Sequence, residues 1–484
     1  MGVVRTNNKT AFRRRVLGYP EPVRQSGREK PMQRKRVAVM QYDNELFVKH
    51  LQGMVQIPTV SSVDPDKIDK DAFLRLHKYL EETYPLVHKT FEKEVIGRVG
   101  LLYHWKGTGK SGKEPLLLTA HQDVVPEGDH SMWKYPPYEG VVADGCLWGR
   151  GSTDSKCNIQ AYLDALELLI ADGFVPDYDI YLAFGYNEEV MGGPEAAAGI
   201  LSEELKKRGV TLGMAVDECG GVSQRDGKWV AEIYPCEKGY ADFEFSMEDP
   251  GGHSAQPPEH SALGVIGHTA WLIEQNPLPQ KLTAPVIQQM KAMAPFTPGE
   301  LGQLFQDPEA NWEKLKPLCA ANKQLNAMTR TTTAVTMCKG SDQANILPER
   351  ATLITNSRLL PGDTVEELQK HLESIVPEGV KVRLVKGHNP PEVSSIDTPG
   401  YRLMKSIMEE KYPGITFIPA MLLGGTDSRY YCSLSPSHSV YRFTGLKSDS
   451  RWGGAHQVNE HIACDILTDN VDFYVRLLKG YANA

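Results

Sequence analysis

No cysteine pair at C-x-x-C spacing occurs in the 484 residues, and the eight cysteines that are present (146, 157, 219, 236, 319, 338, 432 and 464) are scattered. That spread excludes a disulfide-dense scaffold and reads as reduced, mostly buried thiols. No stretch reaches the roughly 18 consecutive apolar residues that a membrane span needs, and the first residues lack the apolar core of a secretory signal. Internal repeats and low-complexity tracts are also missing. These absences point to a soluble, cytoplasmic protein with no membrane partner. Hydrophobic residues at 41% suffice for a sizeable core, and a chain this long exceeds one ordinary core, which implies two units, one of them split in sequence.

Charge is unevenly placed. Residues 1 to 39 carry eleven lysines and arginines against two glutamates, so the remainder holds −17 of a net −8. The basic leader, with Arg13, Arg14, Arg15 and the Arg34-Lys35-Arg36 run, fits a nucleic-acid arm, a targeting segment or a solvated tail; the solvated, disordered extension is the reading adopted, so nucleic acid is not an expected partner. Residues 1 to 6 also fit the loose myristoylation pattern at Gly2, which is short enough to arise by chance.

From about Glu45 the pattern is a helix followed by strands alternating with helices, the signature of an α/β unit with a mixed, largely parallel sheet flanked by helices. Leu116 to Ala120, Tyr181 to Tyr186 and Leu212 to Val216 read as buried strands. They lead into His121-Gln122-Asp123, Asn187-Glu188-Glu189 and Asp217-Glu218. Ligands in open α/β sheets sit beyond the carboxyl ends of the strands, so three polar clusters emerging there can converge. Helical spacing over 158 to 170 places Asp154 just before a helix start. Past Lys238 the pattern becomes α+β: strands at 240 to 245, 331 to 337, 351 to 357 and 380 to 384, and helices at 262 to 275 and 365 to 375. The expected organisation is a catalytic domain from 40 to 238 and 386 to 484, with an inserted lid from 239 to 385. Residues 277 to 330 are taken as an elaboration of that insertion.

Hydrolysis of an unactivated amide needs a strong nucleophile and a stabilised oxyanion, and two divalent metals supply both by acidifying a bridging water. His121, Asp154, Glu189, Asp217 and His456 are the imidazole and oxygen donors that zinc accepts, placed on separate loops. Singly, each is commonplace. Jointly they sit in L-L-L-T-A-H-Q-D at 116 to 123, G-R-G-S-T-D-S-K at 149 to 156, N-E-E at 187 to 189, V-D-E at 216 to 218, G-G-H-S-A-Q-P at 251 to 257 and G-G-A-H-Q-V-N-E at 453 to 460.

In this order the motifs resemble the dinuclear zinc aminoacylase/carboxypeptidase family, over nearly the whole chain after Met40. W-K-Y-P-P-Y-E-G at 133 to 140 and G-G-T-D-S-R-Y-Y at 424 to 431 look most like its carboxypeptidase S and N-acyl-amino-acid hydrolase branch. The resemblance implies two Zn2+ ions, with Co2+ or Mn2+ as substitutes, Asp154 bridging, His121 and Asp217 completing one site, and Glu189 and His456 the other. Glu218 is free to exchange with Asp217, since neighbouring residues of a strand face opposite ways. Asp123, two residues past His121, is expected to accept the other imidazole N–H. Glu188 is the expected general base.

His253 matches the family's oxyanion-stabilising histidine, which in dimeric relatives comes from the partner subunit, so a homodimer through the lid bears on activity. Asn345 and Arg358 match the lid positions that grip the substrate, Arg358 by a bidentate fork on a terminal carboxylate; for Arg358 a surface ion pair is the competing view. Gly424, Gly425 and Thr426 resemble the backbone loop near that carboxylate, against a plain turn. Ser152 and Ser254 lack the context of serine nucleophiles. The implied substrate is an N-acyl amino acid or a dipeptide-like molecule with a free carboxylate; a carboxypeptidase or dipeptidase, and a binding protein on a retired fold, are the alternatives. Deleting residues 1 to 39 should leave the folded body intact; salt-sensitive nucleic-acid retention that disappears with the deletion would make the leader a binding arm instead.

Overall fold

A computed structural model describes residues 42–190, 195–448 and 451–484; the leader, with every reading attached to it, lies outside them. The core is a nine-stranded mixed sheet. From edge to edge it runs Glu92–Ile96, Gly100–Trp105, Ile180–Gly185, Leu116–His121, Met214–Asp217, Val440–Arg442, Lys228–Glu237 and Thr416–Leu422, with Gly221–Arg225 added beside Lys228–Glu237. Four central strands, Ile180–Gly185 through Val440–Arg442, are mutually parallel. All four are buried residue after residue, as Leu116–His121 shows with Leu116, Leu117 and Leu118 at 0% exposure. Continuous apolar runs of this kind are what a sheet covered on both faces requires.

The helix Lys156–Ala171 covers one face. Twelve of its 16 residues are buried, because Asn44–Val55 and Leu467–Gly480 pack over it in turn. Tyr162 ties it to the sheet through a hydrogen bond to the Thr119 carbonyl at 2.9 Å. Because the four central strands point the same way, their carboxyl ends deliver His121, the Glu188-Glu189 turn and Glu218 to one rim.

A second, four-stranded antiparallel sheet orders its strands Thr332–Lys339, Arg350–Leu359, Gly239–Glu248 and Lys381–His388. Phe243, Phe245, Leu353 and Leu359 line one face and meet Ile266 and Ile273 of helix Ala262–Gln275 and Leu368 and Leu372 of helix Val365–Ile375. The latter opens on a full capping box between Thr364 and Glu367. Helix limits therefore agree with the sequence at both places, whereas strands extend a few residues beyond their apolar runs.

Residues 277 to 330 are helical: Ala284–Met293, Gly299–Leu304, Trp312–Ala321 and Lys323–Thr329. Their apolar faces do not join the core of the four-stranded sheet. Val286, Met290, Leu315 and Met328 instead pack with Cys236 and Met421, residues of the neighbouring strands Lys228–Glu237 and Thr416–Leu422 at one end of the nine-stranded sheet. Gln289 accepts the Met421 N–H at 3.0 Å, where the register of Thr416–Leu422 shifts after Pro419. The elaboration thus braces the larger sheet. Met290 is fully buried in this contact, so Met290→Ala should lower unfolding free energy by about 2–5 kcal/mol. Denaturant unfolding followed through the whole molecule checks this; an unchanged main transition would mean that the helices are an independent appendage.

Candidate metal centre

At the end of its strand, His121 is almost wholly enclosed. Its Nδ1 lies 3.0 Å from the Asp123 carbonyl oxygen, which leaves Nε2 facing the Asp154 carboxylate at 3.0 Å and that of Glu218 at 3.4 Å. The second oxygen of Asp154 is 3.3 Å from His456 Nε2, and Glu189 approaches the same nitrogen at 2.7 Å. Asp154 therefore stands between two imidazoles, one oxygen to each. Two groupings of metal-binding donors, His121-Asp154-Glu189 and His121-Glu188-Glu218, each have ligand atoms within 4.8 Å of one another.

The structure exchanges the places expected for Asp217 and Glu218. Asp217 is 1% exposed, its Oδ1 accepting the Glu218 N–H at 2.8 Å and its Oδ2 the Ser428 N–H at 2.8 Å. Both oxygens are committed to backbone, away from the cluster. Glu218 turns to His121. Asp123 differs from expectation in a smaller way: its backbone oxygen is the nearer partner of His121, with the carboxylate at 3.4 Å. That carboxylate accepts the N–H groups of Glu188 at 3.1 Å and Glu189 at 3.2 Å, fixing the turn that carries both acids.

Electrostatics follow from crowding acids in a dry place. Burial pushes the Glu188 carboxyl well above its usual range, reinforced by Glu218, Asp427 and Glu189 and opposed by His121. Burial also raises Glu218, to about 8. For His121 burial works the other way, but the carboxylates of Glu218, Asp123 and Asp154 outweigh it and hold the imidazolium well above normal. Hydrogen bonds to Asp154 and Glu189 lift His456 to about 10. Without cations, protons supply the positive charge. Two imidazoles and four carboxylates, with no cysteine in either donor grouping, suit borderline and hard dications, and zinc fits this donor set.

A cavity of about 290 Å3 opens on these groups, lined by Asp154, Glu188, Glu189, Glu218 and His456 and walled by Cys219, Leu446 and Trp452. Gly425 and Thr426 form its other side, with Gly424 next to them in the chain. Thr426 is held by the buried Glu237, which accepts both its N–H (3.1 Å) and its hydroxyl (3.0 Å). Glu237 also pairs with Arg442 at 2.9 Å, both at 0% exposure. His253 and Asn345 lie elsewhere, sharing a cleft of about 730 Å3 beside the paired segments Gly252–His253 and Ile346–Leu347. Arg358 stands in the four-stranded sheet with its guanidinium 4.8 Å from the Tyr240 ring, and forms no ion pair among the described residues.

Sequence reading missed Glu460, Glu237 and the two arginines that answer them. Glu460 lay inside a quoted motif, four residues after His456, and its repetition of an acid near a ligand was the available signal. Glu237 carried none.

The family model described as Peptidase family M20/M25/M40 matches residues 117–480, and the chain belongs to that family of metallopeptidases and related hydrolases. Probable carboxypeptidase S-like 2 of Dictyostelium discoideum is 30% identical over 454 residues, which cover 90% of this chain and 85% of the relative. The N-fatty-acyl-amino acid synthase/hydrolase PM20D1 of Bos taurus is 30% identical over 444 residues, 89% and 86% of the two chains. In fold, the M20 family metallo-carboxypeptidase Sso-CP2 from Sulfolobus solfataricus superposes with a TM-score of 0.70 at 16% identity, over 90% of this chain and 99% of that one.

Metal uptake has a measurable proton cost. At pH 7 the metal-free His121, held well above its usual range, and His456, at about 10, carry their protons and so in the main does Glu218, at about 8; all three must lose them to bind cations, so loading should release about three protons per chain and tighten as pH rises. Titration calorimetry in buffers of different ionisation enthalpy reads this directly, and heats that do not depend on the buffer would contradict it.

Proposed function

We propose that this chain hydrolyses the amide bond of N-acyl amino acids or dipeptide-like molecules that carry a free carboxylate, using two zinc ions held by His121, Asp154, Glu189, Glu218 and His456, with Glu218 taking the role first given to Asp217. The observation that carries the reading is Asp154, which offers one oxygen toward His121 and the other toward His456 while Glu188 stands beside them on the same rim. Zinc bound there acidifies water and polarises the amide carbonyl.

Glu188, not needed as a ligand, takes the proton from the attacking water and returns it to the leaving nitrogen. Its raised proton affinity in a buried site suits that alternation. Gly425 and Thr426 border the cavity and offer backbone to the substrate carboxylate, and Arg358 grips it when residues 239 to 385 close as a lid. His253 stabilises the oxyanion. Its place with Asn345 in a cleft of their own supports delivery from a second copy, hence a working homodimer. Eight scattered cysteines, with no disulfide among the described residues, suit a reducing cytoplasm.

The carboxypeptidase S-like relative supports a second reading, a carboxypeptidase or dipeptidase of the same fold. A panel of fatty-acyl amino acids, aryl-acyl amino acids and dipeptides, run together with metal analysis, separates the two because the acyl compounds lack the α-amino group. Glu188→Gln should keep both metals and lose at least ~100-fold in turnover. Full turnover in that variant would remove Glu188 from the mechanism.

A further inference from the structure

Asp154 depends for its place between two imidazoles on a short stretch of backbone, residues 149 to 154, and that stretch is wrapped around one side chain. Glu460 is fully buried. Its Oε1 accepts the Thr153 N–H at 2.8 Å, the Thr153 hydroxyl at 2.8 Å and the Asp154 N–H at 3.2 Å. Its Oε2 accepts from Arg150 Nη1 at 2.7 Å, and its backbone oxygen accepts the Gly149 N–H at 2.9 Å. Five donors from one six-residue segment therefore converge on a single residue.

Glu460 belongs to the other metal-bearing loop. It follows His456 by four residues and precedes His461, which pairs with Trp148 across two antiparallel strands and stacks on its ring at 3.8 Å. One end of the lock is thus registered on the strand Cys146–Trp148, which leads to Asp154, and the other on the loop that presents His456. Arg150, 2% exposed, balances the Glu460 charge and lies 5.2 Å over the Trp133 ring. Because the Arg150-Glu460 pair is neutral as a whole, it can hold the loop without adding negative charge beside the ligand carboxylates. Gly149, with φ at +155°, has no room for a side chain, since a Cβ would lie 2.3 Å from Val55.

We infer that Glu460 is a positioning residue: it sets the Asp154 carboxylate midway between the two cation sites by gripping the amides of Thr153 and Asp154, and so couples the His456 loop to the bridge. This rests on the dinuclear reading above. Its consequence is specific. Losing the grip should uncouple two bound cations before it removes either ligand, because every ligand side chain would remain present.

The test uses the full chain loaded with Mn2+, whose exchange-coupled pair gives an electron paramagnetic resonance spectrum distinct from that of isolated ions. For Glu460→Gln the coupled spectrum should give way to that of uncoupled Mn2+. The second cation should bind about 10- to 100-fold more weakly, and kcat should fall by a similar factor with little change in KM. Thr153→Val, which removes only the hydroxyl contact, should shift the same readouts in the same direction by less, and it serves if Glu460→Gln does not fold. A variant that keeps the coupled spectrum and kcat while losing thermal stability overturns the inference and leaves Glu460 a fold-stabilising residue. A wild-type protein that takes up fewer than two cations overturns the dinuclear reading and this inference together.

Discussion

Buried carboxylates need donors, and most of the site's architecture answers that need. Nine acids gather near one rim; Asp427 is a buried neighbour of Glu188, and the other eight divide by what their oxygens face. Asp154, Glu188, Glu189 and Glu218 turn toward imidazoles and the cavity. Asp123, Asp217, Glu237 and Glu460 spend their oxygens on backbone N–H groups of the loops that bear functional residues. An unpaired buried charge costs several kcal/mol, so Asp123, Asp217 and Glu460 gain partners while fixing the backbone of the inner four, and Glu237 holds Thr426 through one oxygen. Two of them, Glu237 and Glu460, are further matched by the buried guanidiniums of Arg442 and Arg150.

This division explains which parts of the site were legible in sequence. Ligand types and their order along the chain were, because parallel strands deliver successive motifs to one rim and the apolar runs before them mark the strands. The choice between Asp217 and Glu218 was not. Alternation along a strand says that one of two neighbours faces in, while the selection is made by the Ser428 N–H, more than two hundred residues later. Glu460 was visible as a letter and silent as a role, since its partners lie on a loop some three hundred residues earlier.

The fold shows the same contrast between local and distant information. Helices at 262–275 and 365–375 start where side-chain caps, from Ser261 and from Thr364, open the pattern. Residues 277 to 330 also form helices that their composition allows. Their allegiance to the nine-stranded sheet is decided by Met421 and Cys236, which no periodicity within the segment can reveal.

The two imidazoles flanking Asp154 differ in one further respect. His121 has 1% of its side chain accessible, locked between a strand end and Asp123, whereas His456 has 56% accessible, on a loop at positive φ. Ions shared by such a pair would live unequal lives. The one beside His121 has an imidazole ligand sealed in the fold, while the one beside His456 has an imidazole ligand open to water. Exchange with a metal pool would then be faster at the His456 side, where the ligand is already solvated, than at the His121 side.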